Sequence, residues 1–186
     1  TDMTMRNNLL HAPSAATSAL WGFQIEKLGL EVVPTRVQCY NNTIYTAATR
    51  SGFNCVNIDA TAVDTTLKNN VGYAPNVTGP AFRSGSGASG LVESNNSTDS
   101  QVKNNRPWTS ASPALPSDFQ LDAAEYADGA GAAVDVFDDY FGRSRKGVTH
   151  DLGFYQLNEG DVLEGGSTQV AFIRTGGAIA RVRHAL

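Results

Sequence analysis

The sequence predicts an all-β fold, a solenoid in which short strands lie on one another in parallel, three to a turn. Three observations predict it. The segments "TMRNNLLHAP" (residues 4–13), "QCYNNTIYTA" (38–47) and "TLKNNVGYAP" (66–75) share one pattern: a strand-like run, two asparagines, an aliphatic step and a ring. The first asparagine of each pair, Asn7, Asn41, Asn69 and more weakly Asn95, recurs at intervals of 34, 28 and 26 residues, inside the range of about 20–50 typical of solenoids and arrays. The composition agrees, being rich in Asn, Gly, Ala, Ser and Thr with only 17% charged residues, which suits repetitive β structure better than helices.

The chain of 186 residues is long enough for one domain with a real core. A net charge of −4 excludes a general electrostatic attraction to nucleic acid or anionic membrane. No apolar run approaches the ~18–20 residues of a membrane span, and no signal-peptide pattern is present. The sequence opens on Thr1 inside a strand pattern, which reads as a mature product or a fragment.

Residues 1–105 are expected to form the rungs. Ahead of each asparagine pair the residues alternate with period two. Met5 and Met3, Cys39 and Val37, Leu67 and Thr65, and Glu93 and Leu91 form one set; Arg6 and Thr4, Tyr40 and Gln38, Lys68 and Thr66, and Ser94 and Val92 form the other. That alternation excludes helical solenoids, and the period is short for a propeller blade of about 40–45 residues. A further strand set precedes the next pair in "WGFQIEKL" (21–28) and "FNCVNIDA" (53–60). At a sharp bend one residue must leave the β region, and Asn tolerates the left-handed conformation well. Its amide both donates and accepts, so Asn7, Asn41, Asn69 and Asn95 are expected to form a hydrogen-bonded ladder along the coil. The rings of His11, Tyr45 and Tyr73 then fall about 4.8 Å apart, a spacing suited to offset stacking. A structural role is preferred for them over a sugar platform. Two cysteines make neither a disulfide framework nor a metal site. Cys39 reads as a small buried hydrophobe, and a Cys39–Cys55 disulfide is the less favoured reading.

Residues 106–156 are expected to be the closing rung and cap. "SDFQLDAAEYADGAGAAVDVFDDYFGRSRKGVTHDLGFYQ" (117–156) contains Asp118-Phe119-Gln120-Leu121, an Ala/Gly-rich turn at Asp128-Gly129, Asp139-Tyr140-Phe141-Gly142-Arg143-Ser144-Arg145, and Asp151-Leu152-Gly153-Phe154-Tyr155-Gln156. With the asparagine rungs, this resembles the C-terminal portion of right-handed parallel β-helix proteins of the pectate-lyase-like kind, found in bacterial surface or secreted proteins and phage appendages. Leu152 and Phe154 depart from smaller or β-branched residues, and Gln156 from an acid. The resemblance implies a right-handed parallel β-helix whose end is closed, because an open end exposes unpaired backbone and an apolar core. Trp108, with Phe119 and Leu121, is expected to plug the mouth of the coil. Asp139, Arg143 and Arg145 are expected to be a structural charge cluster.

Residues 157–186 are expected to carry a terminal β-hairpin. In 161–186 two alternating runs are joined by Thr175-Gly176-Gly177, with Gly supplying the positive-φ turn. A lone hairpin is marginal in water, so this one is expected to act in assembly. It would dock on the coil or a neighbouring chain, with Arg174, Arg181, Arg183 and His184 outward and Val170, Phe172, Ile179 and Val182 buried. The open N-terminal end is a second expected contact, with earlier rungs on this or a separate chain.

Chemistry is sparse. The outward strand face carries Arg6, Tyr40 and Lys68 in one column and Asp2, Arg36 and Asp64 in the next. By resemblance, that face forms a groove for an acidic polysaccharide. A lyase there needs a base for the proton α to a uronate carboxyl and a cation for the enolate. Lys68 as base, with Arg36 and Arg6 as neutralisers, is the one assignment the sequence permits; a plain solvated face is the simpler reading. Tyr40, Tyr45, Tyr73 and His11 are the candidate sugar contacts. Asp59, Asp64 and Asp99 are too dispersed for calcium, which takes about 6–8 oxygen ligands, so neither metal nor cofactor is expected. Asp138-Asp139 and Asp122 with Glu125 are the closest carboxylates for a hydrolase pair, about 5–10 Å apart, but they lie in the cap. His11, His150 and His184 are scattered, and no nucleophile motif is present. "SGSGASG" (84–90) lacks the lysine of a phosphate loop and reads as a surface loop. "NNT" (41–43), "NVT" (76–78) and "NST" (96–98) match glycosylation acceptors. The function expected is a non-catalytic structural or adhesive module of a larger extracellular or virion-surface protein, a tail or head appendage with a use in carbohydrate binding. The alternative, a fragment of a polysaccharide lyase or depolymerase, rests on fold resemblance alone.

Overall fold

A computed structural model describes residues 2–12, 21–27, 33–85, 89–122, 125–134, 138–142, 145, 149–156, 170–175 and 178–183. The fold is all-β, organised around three parallel sheets. The first contains β1 (Met3–Arg6), β4 (Val37–Tyr40), β7 (Thr66–Lys68) and β10 (Val92–Ser94), in that order. The second contains β2 (Leu9–Ala12), β5 (Thr43–Thr46) and β8 (Val71–Tyr73), and the third β3 (Trp21–Ile25), β6 (Arg50–Ile58) and β9 (Val77–Ser84). The chain visits the three sheets in turn, so each strand pairs in parallel with the third one after it.

The register is the one the alternation predicts. Met5, Cys39, Leu67 and Glu93 form one row, and Arg6, Tyr40, Lys68 and Ser94 the neighbouring row. Rows of the first kind point inward, where Val37, Cys39, Ile44, Cys55, Val56, Ile58 and Leu67 form the interior core. Asn7, Asn41, Asn69 and Asn95 all take φ between 51° and 58°, the left-handed bend that lets the chain turn from the first sheet into the second. A second left-handed corner lies five residues earlier, at Arg36, Asp64 and Gly90 (φ 52°, 53° and 73°). Asp2, Arg36 and Asp64 keep the register expected of their column, but Arg36 and Asp64 stand at a corner and not on the strand face, which corrects that part of the expectation. Both cysteines are free and fully buried; burial raises the Cys39 thiol pKa to about 12 and the Cys55 thiol higher still.

One element was not expected. After β10, helix α1 (Asp99–Asn104) is started by a capping box in which Thr98 and Gln101 satisfy each other's backbone N–H. It takes the position that a fourth strand of the second sheet would hold. Val102 is fully buried in the interior core, its carbonyl accepts from Ala74 N–H at 2.7 Å, and Ser97 Oγ accepts from Gly72 N–H at 3.0 Å. Room for Val102 comes from Gly72, which replaces the larger Leu10 and Ile44 of its row. A Cβ at Gly72 would collide with Cys55 Sγ and press on Val102.

The segment after α1 runs along the side of the stack instead of plugging its end. Trp108, Phe119, Leu121, Leu152, Phe154 and Tyr155 form a second apolar cluster with Tyr45 and Val71. It lies on the outer face of the second sheet, so that β5 is buried at all four positions, Thr43 to Thr46. Strands covered on both faces lose the inside–outside alternation of polarity. Each large side chain buried in this cluster contributes about 1.5–3 kcal/mol. The expected mouth plug is thus corrected: Trp108, Phe119 and Leu121 cover a flank of the second sheet. Two short strands, β11 (Gly131–Ala132) and β12 (Thr149–His150), pair antiparallel within this flank.

The terminal hairpin forms as expected, with β13 (Val170–Thr175) antiparallel to β14 (Ala178–Arg183). The orientations expected for Val170, Phe172, Arg174, Ile179, Arg181, Val182 and Arg183, and the expectations for Gly176, Gly177 and His184, lie outside the described residues and side chains. Among the described residues no helix is long and apolar enough to cross a membrane.

Candidate functional site

The asparagine pairs divide two tasks. The second asparagine of each pair, not the first, builds the continuous ladder. Asn8 Nδ2 donates to Asn42 Oδ1 (2.8 Å), Asn42 Nδ2 to Asn70 Oδ1 (2.9 Å), and Asn70 Nδ2 to Asn96 Oδ1 (2.9 Å). Each of these oxygens also accepts the backbone N–H of the asparagine above it, at 3.0–3.1 Å. The remaining Nδ2 hydrogens go to the carbonyls of Met5, Cys39 and Leu67. Every buried amide is thereby satisfied twice over, as an interior position demands.

The first asparagine makes the bend, and its side chain faces the flank. Asn7 Nδ2 donates to Asp138 O (2.6 Å) and Asn95 Nδ2 to Ala130 O (2.8 Å), while Asn69 exchanges two bonds with Ala132 (2.7 and 3.0 Å). Within this column a single side-chain bond, Asn69 to Asn41 at 3.1 Å, runs from rung to rung. The ladder expected at Asn7, Asn41, Asn69 and Asn95 is therefore displaced by one residue.

Opposite Asn41 sits Arg145, the hub of the flank. Its guanidinium donates to the carbonyls of Asp138 (3.2 Å), Asp151 (3.1 Å) and Gly153 (2.7 Å) and to Gln156 Oε1 (3.0 Å). In the opposite amide orientation the Asn41 oxygen accepts from Arg145 at 2.8 and 3.0 Å, in place of the bond from Asn69. Burial lowers the Arg145 pKa to about 10, against the opposing pull of Asp139, Asp151 and Asp138; the group stays charged at neutral pH. Gln156 also donates through Nε2 to Asp151 Oδ2 (3.0 Å). An acid in its place would accept from Arg145 but, ionised, would have nothing to donate to Asp151. Asp139 is fully buried, and its two oxygens accept from the backbone of Phe141 (2.8 Å) and Gln156 (2.9 Å). The pair Asp138-Asp139 is accordingly closed to a substrate. Arg143 lies outside the described residues.

The lyase candidates do not converge. Arg6, Tyr40 and Lys68 do share one outward row of the first sheet, with Arg6 exposed and the other two half-buried. Arg36 lies in register with the corner at Asp64, four residues from Lys68 along the strand direction, or about 13 Å. Its Nε is taken up by the Asp2 carboxylate, which that bond holds below its usual pKa. The rings stack as expected, His11 on Tyr45 at 5.2 Å and Tyr45 on Tyr73 at 6.0 Å. Trp108 and Phe119 then cover Tyr45 edge-on, leaving it 6% exposed. Tyr45 is thus removed as a sugar contact, leaving Tyr40, Tyr73 and His11 with accessible surface. Asn41 is fully buried, so the first glycosylation match is closed as well. Among the described residues no three His, Cys, Asp or Glu side chains gather where they could hold a metal ion.

A depression of about 380 Å³ lies where the repeat stops, lined by Phe82, Arg83, Glu93, Ser94, Asn95, Asn96, Ser97 and Asp99. Arg83 Nε bridges across it to Glu93 Oε1 at 2.9 Å. The one sequence signal for it was that no further asparagine pair follows Asn95-Asn96 at the repeat distance. No protein-family model matches the chain, and no curated protein or solved structure does either.

Proposed function

We propose that the chain is a right-handed parallel β-helix of the pectate-lyase-like kind and works as a non-catalytic structural or adhesive module. It belongs to a larger extracellular or virion-surface protein, such as a tail or head appendage, and its outer face meets carbohydrate. The solenoid reading is supported by the pairing of each strand with the third one after it, with the asparagine corners in register. One observation carries the functional reading: the repeated polar side chains are consumed by the scaffold. The second asparagines hold the rungs together and the first hold the flank, while the cations of the lyase assignment are split between a strand row and an Asp2-paired corner. The row Arg6, Tyr40, Lys68 and Ser94 is left as the carbohydrate-facing surface.

The test is incubation with alginate, pectate and chondroitin, followed by ultraviolet absorbance of the unsaturated uronate that a lyase releases. No absorbance is expected. A signal that is lost in Lys68→Ala replaces this reading with the lyase. Light scattering on the whole chain and on a form lacking 161–186 tests the assembly role of the hairpin. A lower molar mass is expected for the shorter form, and equal assembly states remove that role.

A further inference from the structure

From Asn42 on, every amide of the ladder is received by the same three groups. Its oxygen takes the backbone N–H and the Nδ2–H of the asparagine above, and its nitrogen donates to a strand carbonyl two residues before that pair. At Asn96 the series stops with a complete receiving set. Its Nδ2 is bonded to Leu67 O, which uses one of two hydrogens. The second hydrogen and the backbone N–H have no partner among the described residues. The carbonyl of Glu93 stands where those of Met5, Cys39 and Leu67 stand in the rungs above.

Beside this set lies the free edge of β10. Val92 N–H donates to Thr65 O (2.9 Å), and Ser94 O accepts from Asn69 N–H (3.3 Å), so residues 92 and 94 turn toward β7. Parallel pairing alternates the direction of backbone groups, and Leu91, Glu93 and Asn95 therefore turn theirs away from β7. Among the described residues no strand pairs on that side. Edge and ladder end open onto the same depression.

We propose that this end of the stack is a docking site for an extended peptide, which adds as a fifth strand parallel to β10 and seats an asparagine side chain on Asn96. Strand addition of this kind takes its affinity from main-chain bonds and its specificity from the side chain that is seated. An acetamido sugar would satisfy the ladder end and leave the Glu93 and Asn95 backbone unmatched; a peptide matches both. A whole second copy does not fit. Its β2 would have to pass where α1 lies beneath β8, and a helix is about 10 Å across against a rung step of about 4.8 Å. The occupant is a segment that ends or turns away after its asparagine. The inference rests on hydrogen-bond register alone, independently of the reading of the outer face.

The probe is a fluorescein-labelled peptide with the sequence of residues 2–9, DMTMRNNL, which makes this strand and corner at the other end of the stack. Titration into the full chain, followed by anisotropy and by amide NMR, is expected to give saturable binding that shifts the Glu93, Asn95 and Asn96 resonances. A peptide carrying Asn8→Ala is expected to bind at least about tenfold more weakly. In the protein, Glu93→Pro removes an N–H on the free edge without touching the β7 pairing, and Pro is tolerated at such positions; binding is expected to be lost. Glu93→Ala drops the Arg83 ion pair equally and keeps the N–H, so it is expected to bind like the parent, with circular dichroism confirming that both variants fold. Absent saturation, equal binding of the Asn8→Ala peptide, or undiminished binding by Glu93→Pro overturns the proposal. So does N-acetylglucosamine reproducing the resonance shifts when the peptide fails. Concentration-dependent dimers abolished by Glu93→Pro overturn it in favour of self-stacking.

Discussion

Within the stack one interaction is copied from rung to rung, whereas the flank is held by contacts that occur once each. Asn42 and Asn70 meet identical partners one rung apart, and a change at either disturbs the rung above and the rung below. The flank instead converges on Arg145, whose partners come from Asp138, Asp151, Gly153 and Gln156. The two systems meet at each asparagine pair, where adjacent side chains serve opposite clients. Repetition spreads stability along the axis, and a hub concentrates it, so damage to the two regions should look different.

The largest effect tests the copied interaction. Asn70→Ala removes the amide that Asn42 and Asn96 both use and strands a buried Asn42 N–H; about 4 kcal/mol of stability is expected to go. Asn8→Ala, at the end of the ladder, should cost about 1 kcal/mol. Guanidinium midpoints decide, and equal losses would break the distinction between interior and terminal rungs. Next comes the hub. Arg145→Met leaves buried carbonyls and carboxylates without their cation and should cost about 3 kcal/mol. Hydrogen exchange is expected to speed in residues 125–156 while β4 and β7 stay protected, and uniform acceleration would show that stack and flank unfold as one. Gly72→Ala forces a Cβ against Cys55 and should cost about 2 kcal/mol through overpacking, read as a lower melting temperature. Asn95 separates bend from contact: Asn95→Gly keeps the left-handed φ and should be nearly neutral, whereas Asn95→Ala should lose about 1 kcal/mol.

The smallest effect is one of pH and belongs to the flank. Burial, with the nearby Arg145 charge, lowers the His150 pKa below its ordinary 6.5. The unfolded chain then takes up a proton before the folded one does. Stability contributed by neutral His150 is present above 6.5 and declines as pH falls from there through the lowered folded value. His150→Gln should flatten that decline in urea titrations, and an unchanged slope would clear His150.

The stack was legible because its determinants are local. Alternation over five residues sets the face of each strand, and an asparagine at a fixed offset sets the bend, so the register of Met5, Cys39 and Leu67 followed from spacing. Which asparagine makes the ladder did not follow, since two adjacent amides look alike until the φ of the first turns them apart. The corner at Arg36 and Asp64 was hidden because arginine is a poor left-handed residue; only stacking on its neighbours holds it there. Helix α1 was marked by Thr98 and Gln101, a capping-box signal masked by the surrounding asparagines. The course of the flank depends on contacts such as Phe154 N–H to Thr43 Oγ1 (3.0 Å), 111 residues apart, and no periodicity reports those. The depression beyond Asn96 is defined by what the repeat leaves unmatched, which spacing alone does not reveal.

The joint between the first and second sheets is two residues long each time, Asn7-Asn8, Asn41-Asn42 and Asn69-Asn70, whereas the passage from Ile25 to Val37 is longer than that from Ile58 to Thr66. Length variation is thus quarantined on the side away from the amides. Foreign sequence spliced between exposed Ala60 and Thr61 would be carried as a display loop, its base anchored by layers whose spacing the insert never feels.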